Sequence, residues 1–205
     1  ISFLLIYLVI TILEVIFLLL GGLGLFESIC TTFGTVATGG FSIRNNSLAD
    51  YSPYLQYVVG IFMFLSAVNF INYFLLIKRD FRKIRENDEL WFYFFFTTAA
   101  IVFITLTLYF STDRDFSTSF RHSFFQVIAQ ITTTGSATTD YMQWPEVGWA
   151  FMFILLFAGG CTGSTTGGIK MARHLLALKN IRSVFVRLRH PNVITPIKLN
   201  GRFVP

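Results

Sequence analysis

Three runs of small and hydroxyl-bearing residues hold most of the chemistry open to this chain: TVATGGFS around Gly40, ITTTGSATTDY around Gly135, and GGCTGSTTGGIK from Gly159 to Lys170. Glycine reaches backbone conformations closed to other residues, and an extended Thr/Gly segment can turn successive carbonyls toward one point. Carbonyls placed that way replace the hydration shell of a cation. The third run is different, because it interrupts what otherwise reads as a membrane helix, between VGWAFMFILLFA and IKMARHLLALKNIRSVF. A helix in lipid satisfies its own backbone hydrogen bonds, so a break is tolerable only against protein or a water-filled path. The run is either a flexible Gly/Ser turn between two helices or a break that lines a conduction path.

Other chemistries fail on spacing. GSTTGGIK resembles a phosphate-binding loop, but that pattern needs Lys directly after the second Gly and then Ser or Thr, whereas Ile169 intervenes and Met171 follows. His122, His174 and His190 lack metal-ligand spacing, and His122 is expected to cap or pack a short helix. Neither Ser164 nor Cys161 has a neighbouring base, so an enzyme is not expected. Cys30 and Cys161 lie far apart, within or beside apolar segments, and indicate neither a metal site nor a disulfide framework. No organic cofactor is implied.

Composition supplies the setting. The chain has 205 residues, 54% hydrophobic, 18% aromatic and only 13% charged, with a net charge of +5; average soluble domains carry roughly 25% charged residues. An all-α polytopic membrane protein is expected, with the lipid bilayer as a partner. The cations sit beside apolar runs without interleaving suited to bases, so nucleic acid is not a partner. The chain opens at Ile1 inside an apolar run, and it is read as a piece of a longer polypeptide.

In chain order, residues 1–20 form a span, since about 20 residues at 1.5 Å each cover about 30 Å of hydrocarbon. Glu14 inside it is either a functional group or a protonated carboxyl hydrogen-bonded to a neighbouring helix. Residues 25–34 are too short to span and suit a re-entrant pore helix, followed by the Thr/Gly run 37–41. A single helix over 54–77 spans again, and Asn69 and Asn72 on one of its faces hold helix to helix. KRDFRKIR follows. A second unit repeats the order: span 90–110, Asp115 or Ser117 as an N-cap, pore helix 117–130, Thr/Gly run 132–136, and a broken helix 147–185. Laying Gly40 on Gly135, a shift of 95, places Thr38 over Thr133 and Ser28 over Ser123; after a shorter loop, FMFL (Phe62 to Leu65) falls over FMFI (Phe151 to Ile154). In that frame the first unit runs on as an ordinary apolar helix, so only one copy is expected to be broken.

The order implies a mechanism. A short helix ending at mid-membrane directs its C-terminal carbonyls, the negative end of its dipole, toward a central cation. With these motifs in this order, the chain resembles the TrkH/KtrB family of potassium-uptake membrane subunits, over essentially its whole length. The resemblance implies a potassium-channel-like pore of four helix, pore-helix, helix units, of which the second (1–85) and third (86–190) are present, with residues 191–205 a cytoplasmic segment. It implies that Ala37, Thr38, Gly39, Gly40 and Phe41, and Thr132, Thr133, Thr134, Gly135 and Ser136, are two of four selectivity-filter strands for potassium, the transported ion. Ser136 departs from the family pattern, in which many members carry an aromatic residue. It implies further that Gly159, Gly160, Cys161, Thr162, Gly163, Ser164, Thr165, Thr166, Gly167 and Gly168 form an intramembrane gate loop below the filter. Lys170, at its edge, either pairs with a carbonyl or carboxylate or snorkels to the surface. Implied partners are the remaining two pore units, a second copy in a homodimer and a cytosolic nucleotide-binding regulatory ring.

Cations fix the expected orientation. Lys78, Arg79, Arg82, Lys83 and Arg85, with Arg173, Lys179, Arg182, Arg187 and Arg189, outnumber Arg44, Arg114 and Arg121 on the opposite side, which places the filter mouths outward in the cell membrane. The alternative is a secondary transporter of another cation or small solute, which would also use a broken helix.

Overall fold

The computed structural model describes residues 2–112, 115–189, 198–200 and 202–203. Arg114, His190 and most of the segment 191–205 lie outside them. The described chain is helical: α1 Ser2–Leu20, α2 Leu25–Val36, α3 Pro53–Ser66, α4 Phe70–Ile77, α5 Phe81–Arg85, α6 Asp88–Ser111, α7 Phe116–Ile131, α8 Glu146–Leu155 and α9 Met171–Arg189. Two-residue strands, β1 Lys198–Leu199 and β2 Arg202–Phe203, pair antiparallel near the end. Helices α1 and α6 are each long and apolar enough to cross a membrane.

Helix starts follow local chemistry. Ser52 accepts the Leu55 N–H with Pro53 at the first helical position, and Asn87 accepts the Leu90 N–H. Asp115, not Ser117, caps α7, accepting the Ser117 N–H. Such caps satisfy donors that the first turn leaves open.

The short helices sit inside. Helix α2 packs between α1 and α3, α7 packs on α6, and α3 also packs on α7, joining the two halves. Gly60 permits that joint, since a Cβ there would stand 2.5 Å from the Phe124 ring. Met63 and Met152, paired by the predicted repeat, are both fully buried. Much of α1 instead presents apolar side chains outward, Leu4 and Leu20 among them, as suits a helix whose solvent is lipid.

One sequence expectation is overturned. The predicted single helix over 54–77 is two helices, α3 and α4, which meet at 90° across Ala67, Val68 and Asn69. Both copies are therefore broken, and in one register: α3 ends at Ser66 and α8 at Leu155, the same position when Phe62 is laid on Phe151, a shift of 89. Asn69 is not on a continuous helix face; it caps α4, its side chain accepting the Ile71 N–H at 2.8 Å. Asn72 does hold helix to helix, accepting from Asn87 Nδ2 at 3.0 Å.

The bend survives in an apolar setting because protein groups take up the carbonyls it frees. Tyr93 donates its hydroxyl to the Phe64 carbonyl (3.1 Å) and Tyr73 to that of Leu65 (2.6 Å). Thr165 Oγ1 donates to Ser66 (3.3 Å) and the Cys161 N–H to Ala67 (2.9 Å). On the far side, the Phe70 N–H donates to Gly163 O at 3.3 Å. The partners of the first break come largely from the loop of the second.

Candidate functional site

The two Thr/Gly runs leave their helices by one route. Ala37 and Thr132 are right-handed C-caps of α2 and α7, whose N–H groups return to Phe33 O and Ile128 O. Thr38 and Thr133 then turn left-handed, at φ 53° and 54°, and Gly40 and Gly135 at φ 68° and 76°. The hydrogen-bond frame repeats with the same shift of 95. Gly39 and Gly40 donate to Gly34 O at 2.8 and 3.0 Å; Thr134 and Gly135 donate to Ala129 O at 3.0 and 3.2 Å. Agreement at this level, bond by bond, is far stronger than the sequence identity of the two runs.

The expected extended runs from Ala37 and Thr132 thus start two residues late, at Gly39 and Thr134, because Ala37 and Thr132 close the helices and the threonines after them turn left-handed. Glycine in the left-handed region was legible in the sequence. A left-handed threonine was not, since a β-branched side chain there is a genuine outlier, worth of order 1–3 kcal/mol of strain. Its occurrence twice at matching positions points to function. The final residues differ: Phe41 is 85% exposed, whereas Ser136 is buried, beside a narrow cleft it shares with Phe41, Ser42 and Leu48.

The stretch from Leu156 to Lys170 links α8 to α9 and folds into a closed loop. At its neck the Gly159 N–H meets Ile169 O (2.9 Å) and the Ile169 N–H meets Phe157 O (3.3 Å). Inside it, Thr166 Oγ1 accepts the Gly160 N–H at 3.1 Å and Ser164 Oγ donates to Cys161 O at 2.6 Å. Lys170 folds back on the loop, its ammonium bonded to the Thr166 carbonyl and hydroxyl; of the two expected roles it takes the carbonyl. Gly163 and Gly168 are left-handed, and a Cβ at Gly159 would come within 2.3 Å of Gly167 O.

This loop touches both strained threonines. Thr38 Oγ1 donates to Thr165 O at 3.0 Å, and Thr133 Oγ1 accepts the Gly167 N–H at 2.6 Å. Thr165 also donates to Val36 O at the end of α2 (3.1 Å). The structure therefore brings the two predicted filter runs and the predicted loop into one hydrogen-bonded group. Ser164 Oγ is engaged by Cys161 O and Thr166 Oγ1, and among the described residues no His, Cys, Asp and Glu cluster could hold a metal.

One group in this assembly was not singled out from sequence. Glu89, in the first turn of α6 and 4% exposed, accepts three bonds on Oε1: the Thr162 N–H (2.5 Å), the Thr162 hydroxyl (2.9 Å) and the Ala172 N–H (3.2 Å). An acidic residue in a first helical turn usually answers only its own helix, so the position gave no sign of this reach. Glu14 is fully buried, and the Thr35 side chain of the neighbouring helix α2 lies against its carboxyl.

Comparison with known proteins identifies the family. The family model described as TrkH, cation transport protein, matches residues 2–205. The chain is 35% identical to the Trk system potassium uptake protein TrkG of Escherichia coli (strain K12), over 90% of this chain and 39% of that one. It is 33% identical to the Trk system potassium uptake protein TrkH of Salmonella typhimurium, over 98% of this chain and 42% of that one. The crystal structure of the potassium transporter TrkH from Vibrio parahaemolyticus superposes with a TM-score of 0.88 at 30% identity, covering 96% of this chain and 43% of that one. The chain thus spans about two fifths of the length of these relatives, and with a match along nearly every residue it belongs to the TrkH family of cation transport proteins.

Proposed function

We propose that this chain supplies two of the four walls of a potassium-uptake pore in the cell membrane. Ions are selected by backbone carbonyls of residues 37–41 and 132–136 and gated by the loop 159–168. The observation that carries the reading is the contact of that one loop with both left-handed threonines, Thr38 and Thr133. A passive helix break would have no reason to engage equivalent positions of two separate pore runs. The similarity to potassium-uptake proteins of the Trk system supports potassium as the ion.

Pore helices α2 and α7 end just before these runs, so the negative ends of their dipoles favour a cation where the runs begin. Glycine at 40 and 135 holds the left-handed turn that each run needs. The remaining walls come from two further units of the same order, with a second copy and a nucleotide-binding regulatory ring as partners. The excess of cations around α5 and α9 supports a cytosolic side for those helices and outward filter mouths. The pairing of Lys179 with Asp88 at 2.7 Å, which ties α9 to the start of α6, supports one common side for both.

A gate must be bistable, with forms separated by a few kcal/mol, so that a partner's differential binding shifts their populations. Deleting Gly163 to Thr166 from the complete pore-forming polypeptide tests this. It removes the Thr165 bonds to the first filter run, and potassium flux in proteoliposomes should rise and lose its dependence on the regulatory partner, with rubidium over sodium selectivity kept. Wild-type flux and regulation in folded, membrane-inserted protein would make the loop a passive break.

A further inference from the structure

The loop is held from two sides by different chemistry. Toward the pore runs its bonds are neutral, from hydroxyls and backbone amides. Toward α6 it is held by a single carboxylate oxygen, Glu89 Oε1. We infer that Glu89 is the latch of the gate loop, a positioning residue that fixes the loop in its pore-contacting form.

The reach of that oxygen carries the inference. Had Glu89 only capped α9, it would accept from Ala172, near that helix's N-terminus, where a negative charge is favoured. It also takes both donors of Thr162, ten residues earlier, at the start of the loop's tip. One oxygen thus clamps the way into the loop to the way out of it, and fastens both to α6. Thr162 lies beside Cys161, whose N–H holds the Ala67 carbonyl, and Gly163, whose carbonyl takes the Phe70 N–H. The clamp therefore also fixes the residues that fill the bend between α3 and α4.

Burial makes the latch steep. A carboxylate that is 4% exposed is tolerated while its hydrogen bonds are made, and losing part of the set leaves a poorly compensated buried charge. Intermediate positions of the loop are then disfavoured against fully latched and fully released ones, which is the behaviour a gate requires. Lys179, bonded to the neighbouring Asp88 at 2.7 Å, ties α9 to the same turn of α6, so a pull on α9 from the cytosolic side is transmitted to the latch.

The inference rests on the loop being the gate, and its test separates the two. Glu89→Gln keeps size and an acceptor but removes the charge, and charge-assisted hydrogen bonds are roughly twice as strong as neutral ones. In the complete polypeptide without its regulatory partner, potassium flux should rise about tenfold, the effect of about 1.4 kcal/mol, with selectivity unchanged. Cys161, fully buried beside Thr162, should react faster with a membrane-permeant maleimide in a Cys30→Ser background. A purely structural role would lower folded yield and all fluxes without raising Cys161 reactivity. Thr162→Ala should give a smaller rise alone and add nothing to Glu89→Gln, as expected of groups in one bond network, and it serves as the test if the Gln variant does not fold. If deleting Gly163 to Thr166 raises flux while neither Glu89→Gln nor Thr162→Ala changes flux or Cys161 labelling, the latch is wrong and the gate stands. If the deletion also changes nothing, the gate reading itself has failed.

Discussion

After Ser66 the chain resumes a helix at Phe70; after Leu155, in the same register, it does so only at Met171. The first break holds three residues and turns the chain by 90°. The second holds fifteen and forms a closed loop. A break at this position is therefore part of the shared architecture, and what singles out the second unit is the length of chain inserted. The two are not independent, because the short break hands Ala67 O and the Phe70 N–H to the loop of the long one. In an environment where every backbone group needs a protein partner, each break is the other's solvent. A functional assignment resting on one broken copy has to be replaced by one resting on what the extra residues touch.

The largest difference between the units is expected at the paired glycines. Both are left-handed, but a Cβ at Gly40 would stand 1.7 Å from Thr134 O, while at Gly135 nothing lies within 4 Å. Gly135→Ala meets only backbone strain, about 1–2 kcal/mol. Gly40→Ala adds overpacking against an immobile carbonyl, for a loss of about 3 kcal/mol or more. Thermal unfolding of the detergent-purified variants should separate them clearly, and rubidium over sodium selectivity should fall further for Gly40→Ala. Equal losses would mean that the two runs share one environment and that their close approach at Gly40 is not maintained.

A smaller effect tests the two helix starts that follow the breaks. Helix α4 is capped by its own residue, Asn69, whereas the Ala172 N–H near the start of α9 is answered by Glu89 from another helix. Asn69→Ala should cost about 1 kcal/mol, the usual worth of an N-cap, and Asn69→Asp should restore it. Hydrogen exchange at Ile71 is the direct reading and should accelerate in the alanine variant alone. No change would show that the bend is held without the cap, by Tyr73, Tyr93 and the loop of the other unit.

How far the sequence disclosed this arrangement follows from the kind of signal each part leaves. The long apolar helices α1 and α6, the short helices α2 and α7 and the glycine turns at 40 and 135 were legible because apolar length and Gly/Thr composition are local properties. The bend at Ala67 to Asn69 was not, since SAVNF carries neither Gly nor Pro and sits in an apolar run. What stabilises it comes from Tyr73, Tyr93, Cys161 and Thr165, some of them about a hundred positions away. The left-handed threonines were hidden for the opposite reason: local preference argues against them, and only the packed pore runs and loop hold them there. Glu89 read as an ordinary first-turn acid because the three donors that give it meaning lie on a loop whose fold no local pattern predicts.

The smallest effect concerns how α2 and α7 are anchored at their N-terminal ends. In α2, Glu27 accepts from the Tyr51 hydroxyl at 2.7 Å and from Arg44 Nε at 2.7 Å, with the Arg44 guanidinium 5.0 Å from the centre of the Tyr51 ring. Under the shift of 95 the same position of α7 is His122, so this anchor belongs to the first unit alone. The Tyr51 hydroxyl first, and then the Arg44 guanidinium, hold the Glu27 carboxyl below the usual carboxylate range. A depressed folded-state value means that the stabilisation is fully present above the unfolded value of about 4.3 and is lost as pH falls through the folded one. The site is partly open to water, so screening keeps the contribution small. Glu27→Gln should lower the unfolding midpoint by about 1 °C at pH 7, a difference that closes as pH is taken below about 4. An unfolding difference that persists unchanged at low pH would assign the effect to packing at the start of α2 rather than to charge.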